Sequence, residues 1–206
     1  MRHIKIHFYQ ASLVAAMIGL AAFNATVAQS QPKYKIEETK DVDMKLTGTS
    51  TMHKWEMNAK TVEGEGQFDV KDEKLIALTS LSFSVEVKDL KSDNKGLDKN
   101  AYKALKSDEH KDIHYKLISA KVSPEKEGRN LLKTHGKLTI AGVTKEIDMD
   151  VYCGINKDGT ITCTGSDKLN MTDYQVKPPT FMLGAMKTGD AITLDFVVVY
   201  KKQKGV

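Results

Sequence analysis

Four histidines and two cysteines carry most of the reactive chemistry between Gln29 and the C-terminus of this chain. His110 and His114 stand four residues apart, a spacing that offers two imidazoles to one metal ion only on a helix. Their surroundings, LKSDEHKDIHYKL, resume an alternating pattern at Ile113, so the spacing points away from a metal site. No G-x-S-x-G, P-loop or G-x-G-x-x-G motif occurs, and nothing marks a Ser-His-Asp triad. Gly64-Glu65-Gly66 reads as a bulge or turn in a strand, and Asn170-Met171-Thr172 is a glycosylation acceptor only in a eukaryotic secretory route. The expectation is a protein without catalytic residues, metal or other cofactor.

The cysteines say more than their number. Residues 147–155 and 160–169 alternate on either side of Asn156-Lys157-Asp158-Gly159, a hairpin turn with glycine where the backbone needs positive φ. A three-residue loop at Lys157–Gly159 sets Cys153 opposite Cys163 at a non-hydrogen-bonded position, where Cα atoms approach to about 4.5 Å. In an oxidising compartment a disulfide is the favoured state; the other reading is two buried thiols acting as small apolar residues.

Composition narrows the class without naming it. The chain has 206 residues, and 31 Lys and Arg nearly balance 27 Asp and Glu, with no polybasic block to suit nucleic acid. Met1–His7 carries Arg2 and Lys5 and no acid, Ala11–Phe23 is apolar or small throughout, and Asn24–Ala28 ends in a small-residue cleavage pattern. This is the make-up of a secretory leader, and its apolar run is well short of the ~20 residues that span a bilayer. Its removal after Ala28 takes the net charge from +4 to +2 and sends a single domain, 29–206, to the periplasm or the exterior.

The elements that must position any site are almost all strands. Val42, Met44 and Leu46 alternate with polar neighbours, as do Trp55, Met57 and Ala59. Leu81, Phe83, Val85 and Val87 share one face, and Ile147, Met149, Val151 and Cys153 share another. Ala191–Tyr200 becomes apolar on both faces towards its end. Turns are expected at Glu63-Gly64, Ala141-Gly142, Lys157–Gly159 and Thr188–Asp190. One helix is expected, Leu97–Lys106, with Leu97, Ala101, Ala104 and Leu105 in a single stripe. Seven to nine antiparallel strands and a helix fit an all-β barrel or sandwich, and closure at about eight strands can leave an interior cavity.

Successive stretches of the chain resemble the YceI-like family: Gly48–Phe68, Leu105–Leu117, Gly136–Val151 and Leu169–Phe196. The most specific are Gly136–Lys145 (GKLTIAGVTK) and the run Gly184–Phe196. Two segments depart from the family pattern: Glu109–His114 is more polar, and Pro178–Met182 resembles one subgroup only. The resemblance implies an extended, lipocalin-like antiparallel β-barrel of about eight strands, secreted or periplasmic, that holds a polyisoprenoid chain in an apolar tunnel.

The family supplies no catalytic motif, only an apolar lining, which the period-2 faces assign here to Trp55, Met57, Phe83, Val85, Ile113, Tyr115, Leu138, Ile140, Met149, Val151, Phe181 and Met182. The implied ligand is an isoprenoid quinone or polyprenyl-type lipid, drawn transiently from a membrane, and unbranched methionines suit a long flexible chain. The competing reading is an exported structural or interaction protein whose barrel is filled by its own side chains. A continuous apolar tunnel of several hundred Å³ separates the first from the second. A homodimer is compatible with either, although no motif specifies one.

Overall fold

Alternation in sequence becomes alternation in burial along nearly every strand. The structure, a computed structural model, describes residues 32–37, 42–59, 61–181 and 185–204, with Phe181 described by its backbone alone. The expected leader lies outside the described residues. Along β8 (Arg129–Ile140) buried Asn130, Leu132, Thr134, Gly136, Leu138 and Ile140 interleave with half-buried or exposed neighbours, the mark of a wall with one face inward.

Eight strands close into a ring: β1 (Lys33–Ile36), β4 (Glu63–Lys71), β5 (Lys74–Glu86), β7 (Asp112–Pro124), β8, β9 (Val143–Ile155), β10 (Ile161–Asn170) and β12 (Met186–Lys202). The closing pair is β1 with the end of β12, Ile36 facing Tyr200. All pairings are antiparallel, so the ring leaves no edge along this circuit. The fold class is therefore the expected all-β barrel.

β12 is long enough to serve two neighbours on one side. Its last residues hold β1, while Thr188–Val197 pair with β2 (Asp43–Ser50), which carries β3 (Lys54–Ala59) and then β6 (Leu90–Lys91). A two-residue strand, β11 (Thr180–Phe181), also lies on β12. Strand count thus exceeds the seven to nine expected because short additions continue the wall beyond the ring. Val198, Val199 and Tyr200 are buried in succession, in keeping with a strand end covered on both sides.

Two expected turns are strand instead. Glu63-Gly64 opens β4, and Thr188–Asp190 lies within β12, where the register against β2 shifts between Thr188 and Ile192. Glycine was the signal at both, and in a barrel wall it marks irregular pairing as readily as a turn. At Lys157–Gly159 the turn forms as counted: Gly159 has φ +82°, and Asn156 donates to the Thr160 carbonyl at 2.8 Å.

Among the described residues there is one α-helix, α1, which runs from Lys95 to Ala104 and so begins two residues before the expected start. Asn94 sets that start, its side-chain oxygen accepting from Gly96 N at 2.8 Å and Leu97 N at 3.2 Å. Among the described residues no helix is long and apolar enough to cross a membrane.

Candidate functional site

The interior is divided. Between α1 and the barrel wall lies an apolar cavity of about 80 Å³, and deeper, towards the β9–β10 hairpin, a second of about 30 Å³. A long-chain ligand fills a cleft of roughly 300–1,000 Å³. Neither cavity reaches that size, so neither of them alone forms the expected tunnel of several hundred Å³.

The first cavity takes Trp55 and Met57 from β3, Ile113 from β7 and Ile140 from β8, which brings together four of the expected lining residues. Trp55, the single tryptophan of the chain, is fixed by its indole N–H, which donates to the Thr49 carbonyl at 3.1 Å. The second cavity takes Phe83 from β5, Tyr115 from β7, and Met149 and Val151 from β9. Phe83 and Tyr115 stack with ring centroids 5.2 Å apart.

Val85 and Leu138 are buried but border neither cavity. Leu138 lies on β8 between Ile140 of the first cavity and Thr134 of the second, and it faces Tyr115 across the ladder. The Tyr115 ring in turn lies over Gly136, where an added Cβ would collide with the phenol oxygen. The Phe181 side chain and Met182 lie outside the described residues.

Alternation missed the residues that come from outside the strands' repeating faces. Leu97, Ala101, Ala104 and Leu105 of α1 turn their stripe onto the first cavity, joined by Met171 and Tyr174 of a short 3₁₀ turn, Met171–Tyr174, and by Val176. The stripe on α1 was legible as an apolar face, but sequence did not say what it covers. The 3₁₀ turn has no period to read.

Polar groups on these walls are few. Among the described residues, the buried side-chain atoms without a hydrogen-bond partner are the hydroxyls of Tyr115 and Tyr174, one on each cavity. Burial, with the nearby carboxylates of Asp167 and Asp173, pushes the Tyr174 phenol up to about 12. Burial also raises Tyr115, against an opposing interaction with the Thr134 hydroxyl. That hydroxyl spends its own proton on the Met149 carbonyl at 3.1 Å.

Elsewhere, Cys153 and Cys163 face each other in the β9–β10 ladder and are joined by a disulfide, with Cα atoms 4.1 Å apart. His114 is exposed on β7, with Nε2 3.9 Å from Asp112, and His110 packs over Gly142. No cluster of three or more metal-ligating side chains occurs among the described residues.

A closed eight-stranded antiparallel barrel, capped by a helix and lined by apolar side chains with two isolated phenols, defines the class: a barrel with an apolar interior. The model of the YceI-like domain matches residues 21–200, and the chain belongs to that family. The match begins inside the stretch expected to be a leader.

Three solved structures share the fold. A polyisoprenoid binding domain from Saccharophagus degradans, implicated in plant cell wall breakdown, superposes with a TM-score of 0.63 at 9% identity, covering 84% of this chain and 99% of that one. BcnA of Burkholderia cenocepacia gives 0.60 at 15% identity, over 77% and 95% of the two chains. The YceI protein of Campylobacter jejuni gives 0.54 at 21% identity, over 72% and 85%. No curated protein sequence matches this chain.

Proposed function

We propose that this protein binds a long-chain lipid, an isoprenoid quinone or polyprenyl-type chain, inside its barrel and serves as an exported carrier that exchanges it with a membrane. The observation that carries the reading is the first cavity, whose walls are almost wholly apolar and whose cover is a separate helix instead of a ninth barrel strand. The Saccharophagus degradans neighbour, a polyisoprenoid binding domain, lends support to the ligand class.

Energetics favour exchange over permanent capture. Each CH₂ taken from water is worth ~0.8 kcal/mol, but a lipid leaving a membrane is already in apolar surroundings, so the net drive is small. A long chain also requires the barrel to open beyond its present volume, by movement of α1 and of side chains such as Leu138 that lie between the residues of the two cavities. The role is binding, and no catalytic step is assigned to it.

The outer face of α1 supports a membrane as the source. Lys95, Lys99 and Lys103 recur every fourth residue and are exposed, opposite the stripe that covers the cavity. A helix with an apolar inner face and a cationic outer one can meet an anionic bilayer above the cavity it covers.

A second reading, a self-filled exported barrel with a structural or interaction role, draws on the small volumes of both cavities. Titration of delipidated protein with an isoprenoid quinone, read through Trp55 fluorescence, separates the two. Saturable quenching, together with lipid extracted from natively purified protein, is expected. No change in emission and no co-purifying lipid would leave the self-filled barrel as the function.

A further inference from the structure

The two unpartnered phenols are not equivalent, because only Tyr174 has a carboxylate on the interior face near it. Along β10, Cys163 borders the second cavity and Leu169 the first, and the register against β12 is unbroken from Ile161 to Asn170. Asp167 shares their parity and is half-buried on the inward row of β10 between the two cavities, bordering neither of them. Its Oδ1 accepts from the Lys168 backbone N–H at 2.9 Å, and no ion-pair partner for it occurs among the described residues. Burial holds its carboxyl above the usual range.

Tyr174 is 2% exposed and lines the first cavity with a hydroxyl that meets no acceptor or donor. Buried hydroxyls are normally paired, so one left open on a cavity wall invites a polar group from an occupant. None of the described residues lining this cavity is a lysine, arginine or histidine. A phosphate or diphosphate entering there would find no cation, and Asp167 would repel it.

We infer that the first cavity takes the polar head of the bound lipid and selects an uncharged hydroxyl-bearing head, as in a polyprenol or hydroquinone, over a phosphorylated one. The head's oxygen accepts from the Tyr174 hydroxyl, and its own O–H donates to the Asp167 carboxylate. Sites built to bond a hydroxyl discriminate strongly, since an unsuited head leaves buried groups unpaired. The inference rests on the lipid-binding reading and adds to it the chemical class of the head.

Three probes of one chain length test it on the delipidated full-length protein: geranylgeraniol, geranylgeranyl diphosphate and the corresponding hydrocarbon, each titrated against Trp55 emission. The wild type is expected to bind the alcohol at least about tenfold tighter than the diphosphate. Tyr174→Phe keeps the ring and is expected to weaken the alcohol about five- to tenfold while leaving the hydrocarbon unchanged. Asp167→Asn keeps the shape and is expected to bring the diphosphate to within about threefold of the alcohol. Equal binding of alcohol and diphosphate by the wild type, or an alcohol affinity indifferent to Tyr174→Phe (the mark of a phenol bonded to water), overturns the inference alone. Failure of all three probes to bind overturns the lipid-binding reading and this inference with it.

Discussion

His135, a half-buried residue of β8, is expected to make the stability of this fold depend on pH. Its Nδ1 lies 2.9 Å from Asp148 and its Nε2 3.3 Å from Glu146, both on β9, so one imidazole ties β8 to β9 through two carboxylates. Those carboxylates favour the protonated ring and hold its pKa above the ordinary value, the bond to Asp148 being the larger cause. A group raised on folding contributes stability that is complete below its unfolded value of about 6.5 and lost as pH rises through the folded value. His135→Ala is therefore expected to lower the urea midpoint at about pH 5.5 and to converge with the wild type in alkali. A difference that grows with pH would assign the ring another role. The Cys153–Cys163 disulfide acts on the unfolded chain instead. Its sequence separation of ten closes a short loop, for which restriction of the denatured state is worth about 2–3 kcal/mol. Replacing both cysteines by alanine should lower the unfolding free energy by that amount, read as a fall in the urea midpoint, without loss of the far-ultraviolet β signal; an unchanged midpoint would show that the cross-link adds nothing to stability.

At the scale of elements, the proposed function gives α1 two faces, an apolar one on the cavity and a cationic one for the membrane. Reversing Lys95, Lys99 and Lys103 to glutamate leaves the stripe of Leu97, Ala101, Ala104 and Leu105 on the cavity intact. Sedimentation with vesicles containing anionic phosphatidylglycerol is expected to fall several-fold, while quinone binding from detergent stays unchanged. Equal sedimentation of wild type and variant would remove α1 as the docking face. The helix also marks what sequence conveys and what it withholds. Its apolar stripe was readable, because a 3.6-residue period is a local property. That the stripe covers a cavity was not, since this depends on β3, β7 and β8 arriving from distant parts of the chain. The Cys153–Cys163 register was readable for the opposite reason: a turn and its two strands are contiguous, and counting outward from Lys157–Gly159 suffices. Tyr174 stayed hidden, because a four-residue 3₁₀ turn has no periodicity and its phenol acquires meaning only through its burial and Asp167.

For the molecule as a whole, the question is how a barrel with two such small cavities admits a long chain. Period-2 faces mark inward positions, but inward is not the same as lining. Val85 and Leu138 point inward and border no cavity, while Ile113 and Tyr115, two residues apart on one strand, serve different cavities. Leu138, set on β8 between residues of the two cavities, and the Tyr115 ring over Gly136 are the candidate partition. If lipid entry displaces this partition, affinity should climb with chain length as the ligand extends from the first cavity into the second. If the partition holds, affinity should level off once the first cavity is full. Leu138→Ala separates these outcomes, because it removes side-chain volume from the divide and leaves every described residue bordering either cavity in place. Emptying so buried a site is expected to lower stability by about 2–5 kcal/mol, read as a fall in the urea midpoint. It should also strengthen binding of a forty-carbon isoprenoid relative to a fifteen-carbon one, because the long chain no longer has to displace the leucine. Loss of stability with no gain for the longer chain would mean that the barrel opens elsewhere, and would confine the ligand to the space beneath α1.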